Sequence, residues 1–240
     1  MDGLAVIGAV FFLIVVGYIG VSAVLRRIPA TSLRLPTGPI PDTWDNIVED
    51  NVPLARGLSS NERDRLLRLV QVFLTEKHFE GCGGLTLTEE MKAGEIARPP
   101  ARVIGESWGD GVVVISWDDT VRGARNSVDG DNVVLHEFAH QLDAEDGVSD
   151  GAPILPPSAL RTWGGVLSEE YERLRRDAEQ DRPSALDEYG ATNKAEFFAV
   201  ATEAFFEKPV QLEREHPALY GQLREFYRQD PARRTPSFDP

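Results

Sequence analysis

Residues 131–143, DNVVLHEFAHQLD, decide how this chain is read. Asp131 or Asn132 can cap a helix at its N-terminus, the apolar run Val133, Val134, Leu135 comes next, and Gly147 stands beyond the expected end. At about 100° per residue, His136 and His140 lie about 40° apart around such a helix, so both imidazoles reach one ion. Glu137 sits beside them, where it can touch a water held by that ion. His-Glu-x-x-His occurs by chance in many long sequences, so its setting carries weight. Phe138, Ala139 and Leu142 make the helix mostly apolar, and burying two histidines and a glutamate without a use is costly. Imidazole ligands favour zinc over magnesium or calcium. Zinc there would lower the pKa of its water toward about 7 and polarise a carbonyl, with Glu137 as the base that passes the proton to a leaving amine. Asp143 shares the histidine face and either orients a ligand imidazole or is a solvated acid.

A catalytic zinc usually has three protein ligands and one open position. A third histidine six residues after His140 is absent, because Asp146 stands there, so a distant carboxylate is the expected third ligand. Residues 188–207, EYGATNKAEFFAVATEAFFE, place Glu196, Glu203 and Glu207 on one predicted helix. With Asn193 as N-cap, Glu196 also suits a capping box that needs no metal, and Glu203 suits an exposed flank. Spacing leaves the choice among the three open.

The rest of the chain bounds this chemistry. Its 240 residues, 42% hydrophobic and 27% charged, allow one main domain. A net charge of −14 argues against direct contact with nucleic acid. Cys82 is the sole cysteine, which excludes a disulfide framework and a cysteine-based zinc site. Among the four histidines, His78, His136, His140 and His216, two stand four apart beside a glutamate. From Gly3 to Leu25 the sequence is uncharged and apolar, long enough for a helix across a lipid bilayer and long for a cleaved signal. Arg26 and Arg27 then put the C-terminal domain in the cytoplasm, as part of a single-pass protein of the inner cell membrane. The expected plan is an anchor over residues 1–27, a linker over 28–43, a catalytic domain over 44–232 and a flexible tail over 233–240.

Within that domain, Ser59 with Glu62 reads as a capping box before an amphipathic helix over 60–78. The β-branched run VVVISW, residues 112–117, reads as a strand. Further helices are predicted over 158–177, 193–207 and about 217–228, which makes the expected fold α+β, mostly helical with a small sheet.

Several blocks together resemble the MtfA family of zinc peptidases, named for titrating the repressor Mlc: HEFAHQLD, the 188–207 segment, FEGCGGLTLTEEM at 79–91, GESW at 105–108, VVVISWDD at 112–119 and LREFYRQDP at 223–231. The resemblance spans the chain from about Trp44 onward. It implies a zincin-like fold, one Zn2+ per chain held by His136, His140 and Glu196, and Tyr189 as a donor that stabilises the transition state. Glu203, seven residues after Glu196, would then support the ligands from behind. Two departures stand out. The family members studied as soluble proteins lack the apolar N-terminal span, and residues 92–104 replace an apolar helix and strand that the family carries beside its substrate groove. The expected function is a membrane-anchored zinc peptidase acting on a peptide or protein substrate. A regulatory module that sequesters a transcriptional repressor is the alternative, and a hydrolase of non-peptide amides is a third reading.

Overall fold

A computed structural model of the chain describes residues 38–76, 105–108 and 112–234. Eight α-helices run through them: α1 (Asp42–Asn51), α2 (Ser60–Glu76), α3 (Trp117–Arg125), α4 (Val133–Asp143), α5 (Pro157–Ala178), α6 (Lys194–Glu207), α7 (Pro209–Glu215) and α8 (Pro217–Tyr227). Two strands of four residues, β1 (Gly105–Trp108) and β2 (Val112–Ile115), pair with each other. The expected α+β class is overturned. A two-stranded ribbon of this length cannot form a layer against which helices pack. The β-branched run stops at Ile115 because Ser116 accepts a hydrogen bond from Asp119 N and starts α3, so Trp117 begins a helix rather than ending a strand. No helix among the described residues is long and apolar enough to cross a membrane. Residues 3–25, on which the anchor, its bilayer contact and the cellular placement were expected, lie outside the described residues, as do 77–104 and 235–240.

The described residues fall into two compact units. In the first, the Ser59–Glu62 box forms as predicted: Ser59 N donates to Glu62 Oε2 at 2.9 Å and Glu62 N to Ser59 Oγ at 3.4 Å. The apolar face of α2, with Leu66, Leu67, Leu69 and Val70 buried, belongs to the same unit as buried Val48 and Val52. Arg63 ties α2 to α1, with Nε 2.6 Å from Asp45 Oδ1 and Nη1 2.6 Å from Glu49 Oε2.

The second unit is built around α6. Every residue from Phe197 to Glu207 is buried, so this helix is apolar on nearly all sides and forms the middle of the core. Trp163 from α5 meets Phe198 edge-on at 5.8 Å, and Phe205 meets Tyr220 and Tyr227 of α8 at 5.2 and 5.5 Å. The Tyr227 hydroxyl satisfies its polarity against Thr202 Oγ1 at 2.9 Å. His216 stands at the α7–α8 junction, 2% exposed, and Nδ1 donates to Glu170 Oε2 of α5 at 2.7 Å; this histidine has a structural role.

Candidate metal centre

The candidate metal ligands all lie in the second unit, on two helices. His136 and His140 project from α4 one turn apart, and Glu196 projects from the first turn of α6. Asn193 is extended, and its Oδ1 accepts from Glu196 N at 3.0 Å. That cap fixes where α6 begins, and therefore the height at which the Glu196 side chain leaves it. The two roles open for Glu196 coexist: its backbone N–H serves the cap while its carboxylate turns to the histidines.

Glu196 Oε2 lies 2.9 Å from His136 Nε2 and 3.3 Å from His140 Nε2, and the two Nε2 atoms are 3.2 Å apart. Among the described residues this is the one group of three His, Cys, Asp or Glu side chains whose donor atoms converge. Ligands about 2.0–2.1 Å from a tetrahedral divalent metal stand about 3.3–3.4 Å from one another. The measured edges form that triangle slightly contracted, so the donor set fits a metal ion.

Neither of the other carboxylates on α6 joins the triangle. Glu203, 5% exposed, places Oε1 2.7 Å from the opposite ring nitrogen, His136 Nδ1. Glu207 accepts from Gly130 N at 3.0 Å. Of the three α6 carboxylates, Glu196 is the one that converges with both histidines.

The charges of the site point the same way. Burial alone would lower the His136 pKa, but hydrogen bonds to Glu196 and Glu203 and the charges of Glu203 and Glu137 outweigh it and hold the imidazolium up to about 10. Burial would raise Glu196, yet its bonds to the same histidines pull it down to about 2. Both values describe one interaction: the carboxylates around His136 demand a positive charge, which a proton supplies in the metal-free protein.

Glu137 is 4% exposed on α4 beside the two ligand candidates. Tyr189 lies on a short 3-10 turn (Glu188–Ala191) that Asp187 pins by accepting from Tyr189 N at 2.8 Å. Its ring centroid is 5.9 Å from that of His136, and it remains 54% exposed. Partial burial, then the negative charges of Glu196 and Glu137, push its hydroxyl above the ordinary tyrosine range, so at neutral pH it is a donor. The structure thus gathers Tyr189 with His136, His140 and Glu196.

Asp143 corrects one expectation. It orients no imidazole by hydrogen bond: fully buried, it accepts from Gly151 N at 3.0 Å through Oδ2, while Oδ1 has no hydrogen-bond partner. Gly151, at φ +80, also accepts from Trp163 Nε1 at 3.1 Å, and a Cβ there would stand 2.4 Å from Lys194 O. One glycine therefore sits against the end of α4, the side of α5 and the start of α6. Nothing in the sequence marks this junction beyond Asp150-Gly151, an ordinary turn signal. A cavity of about 400 Å³ elsewhere in this unit, lined by Leu174, Arg182, Ser184, Leu186 and Lys208 among others, contains none of the convergent side chains.

The family model of the glucose-regulated metallo-peptidase M90 matches residues 26–98 and 94–228. Its two segments meet inside 92–104, the stretch where the chain was expected to be short. An uncharacterized protein of Synechocystis is 33% identical over 236 residues, covering 80% of this chain and 86% of its own length. Mlc titration factor A of Yersinia pestis is 30% identical over 230 residues, covering 77% and 84%, and that of Serratia proteamaculans is 28% identical over 229 residues, covering 76% and 86%. With the family model spanning most of its length and a converging His, His, Glu group at its centre, the chain belongs to the glucose-regulated metallo-peptidase M90 family.

Proposed function

We propose that this chain is a zinc peptidase in which His136, His140 and Glu196 hold one zinc ion, Glu137 is the general base and Tyr189 an electrophilic donor. The observation that carries it is the triangle of 2.9, 3.2 and 3.3 Å formed by one carboxylate oxygen and two imidazole nitrogens. Zinc at such a site supplies Lewis-acid polarisation and a water of lowered pKa. The chain's own groups do the rest. Glu137 is buried beside the histidines, takes the proton of the attacking water and hands it to the leaving nitrogen of the peptide. The Tyr189 hydroxyl, held protonated, donates to the oxygen on which negative charge develops. Its exposure leaves the ring accessible to a peptide arriving from solvent.

Two measurements on the full chain test this together. Mass-spectrometric metal analysis should return close to one zinc per chain, and less than roughly a tenth would remove the metal centre. Cleavage of a peptide library should fall by about 10²-fold or more in Glu137→Gln with zinc content unchanged; unchanged cleavage would assign the hydrolysis elsewhere.

A second reading is favoured by the name shared by two relatives, Mlc titration factor A. In it the same site and fold serve to bind and sequester a transcriptional repressor. Retention of a repressor by Glu137→Gln would support sequestration independent of catalysis, and loss of capture with catalysis would count against it.

A further inference from the structure

Glu203 is buried to 5% exposure on α6, and its Oε1 lies 2.7 Å from His136 Nδ1 across a sequence separation of 67 residues. A carboxylate at this distance is placed to accept from Nδ1, and donation through Nδ1 leaves Nε2 as the nitrogen that can bind a metal. The two ring nitrogens point in diverging directions, which leaves Nε2 to face His140 and Glu196 and keeps Glu203 away from an ion bound there. Glu203 also lies seven residues after Glu196 on one helix, about 20° away around the axis. The ligand candidate on α6 and the group that touches a ligand candidate on α4 are thus fixed by the same buried rod.

We propose that Glu203 is a positioning residue of the metal centre: by accepting from Nδ1 it holds His136 in the tautomer and ring orientation that present the Nε2 lone pair to the metal. The role presupposes the zinc centre proposed above. A buried tie between α4 and α6 with no bearing on the metal would also place these atoms together, and the two differ in what Glu203 controls. A tie affects folding alone. A positioning residue sets the protonated nitrogen of His136 and the affinity for the ion, and loss of such partners commonly weakens metal binding by about 10–100-fold.

The test compares full-length wild type, Glu203→Gln, Glu203→Leu and His140→Ala. Zinc affinity is read by competition with a fluorescent chelator, and the bond from His136 Nδ1 to Glu203 by the downfield shift and slow exchange of the Nδ1 proton in NMR of the zinc-loaded protein. Glu203→Gln keeps an acceptor oxygen, so Nδ1 should remain protonated while zinc binds up to about tenfold more weakly. Glu203→Leu removes the acceptor and should lose the downfield, slowly exchanging Nδ1 proton together with about 10–100-fold in affinity. Wild type that binds no more zinc than His140→Ala overturns the metal centre itself. Wild type that binds zinc, with both Glu203 variants matching it in affinity, overturns the positioning role and leaves the centre standing. Should Glu203→Leu not fold, Glu203→Gln and wild type still decide: wild-type His136 lacking the downfield, slowly exchanging Nδ1 proton, or Glu203→Gln with undiminished affinity, overturns it.

Discussion

Gly151→Ala should destabilise the second unit through a single methyl group. At φ +80 an L side chain costs about 1–2 kcal/mol of backbone strain. The new Cβ would also fall 2.4 Å from Lys194 O and 3.0 Å from Lys194 C, inside any allowed contact with backbone atoms that cannot rotate away. Relieving an overlap of this kind typically costs about 1–3 kcal/mol, for a total of about 2–5 kcal/mol. The chain supplies its own control. Gly147 lies at φ +90 with nothing within 4 Å of an added Cβ, so Gly147→Ala carries the backbone strain alone. Urea-induced unfolding of the metal-free full chain should therefore show Gly151→Ala below Gly147→Ala by about 1–3 kcal/mol. Lys194 opens α6 two residues before Glu196, so relief by moving that carbonyl should also weaken metal binding in Gly151→Ala and not in Gly147→Ala. Equal stabilities for the two variants would refute the close approach of the loop to α6.

Three further perturbations probe the same frame. His136 in the metal-free protein is held up to about 10 against an ordinary 6.5, so the stability it contributes is fully present below pH 6.5 and is lost as pH rises through 10; unfolding midpoints across that window should fall more in wild type than in His136→Gln, and parallel curves would refute the assignment. Asn193→Ala removes the acceptor for Glu196 N and should cost about 1 kcal/mol in urea unfolding, with a weaker metal site as α6 frays at its first turn; a cost near zero would show that the cap is not needed. Trp163→Phe keeps most of the ring packing but leaves Gly151 O without its indole donor, which should cost about 1–3 kcal/mol by thermal or urea unfolding, and an unchanged midpoint would show that the carbonyl finds another partner.

What was legible in the sequence was local. His136, Glu137 and His140 could be placed on one face because a helix converts spacing into direction, and Asn193 could be read as a cap because its partner is three residues away. The Ser59–Glu62 box is visible for the same reason. Helix α3 was not read, because the β-branched residues before it outweighed Ser116 as a cap with Asp118 and Asp119 in the next turn. Helix α7 starts at Pro209, directly after α6, and a proline in the first turn of a new helix looks in sequence like the end of the old one. That Glu196 converges on both histidines while Glu203 meets only Nδ1 of His136 could not be read from spacing, because residues seven apart share a face; it depends on how α4 and α6 meet across 60 and 67 residues of chain. The small sheet was overestimated for the described residues, where β1 and β2 pair only with each other, because β-propensity says where a strand can form and not how many partners it will find.

Helix α6 also sets a limit on how this chain can change in length. Glu196, Glu203 and Glu207 reach the two histidine contacts and the Gly130 amide from one uninterrupted helix. Removing one residue between 196 and 203 would shift one end against the other by about 1.5 Å and rotate it by about 100°. The helix could then serve either its first carboxylate or its last two, never all three. A change of length between 196 and 207 therefore breaks the arrangement, and α6 behaves as a gauge block that keeps its three carboxylates in register.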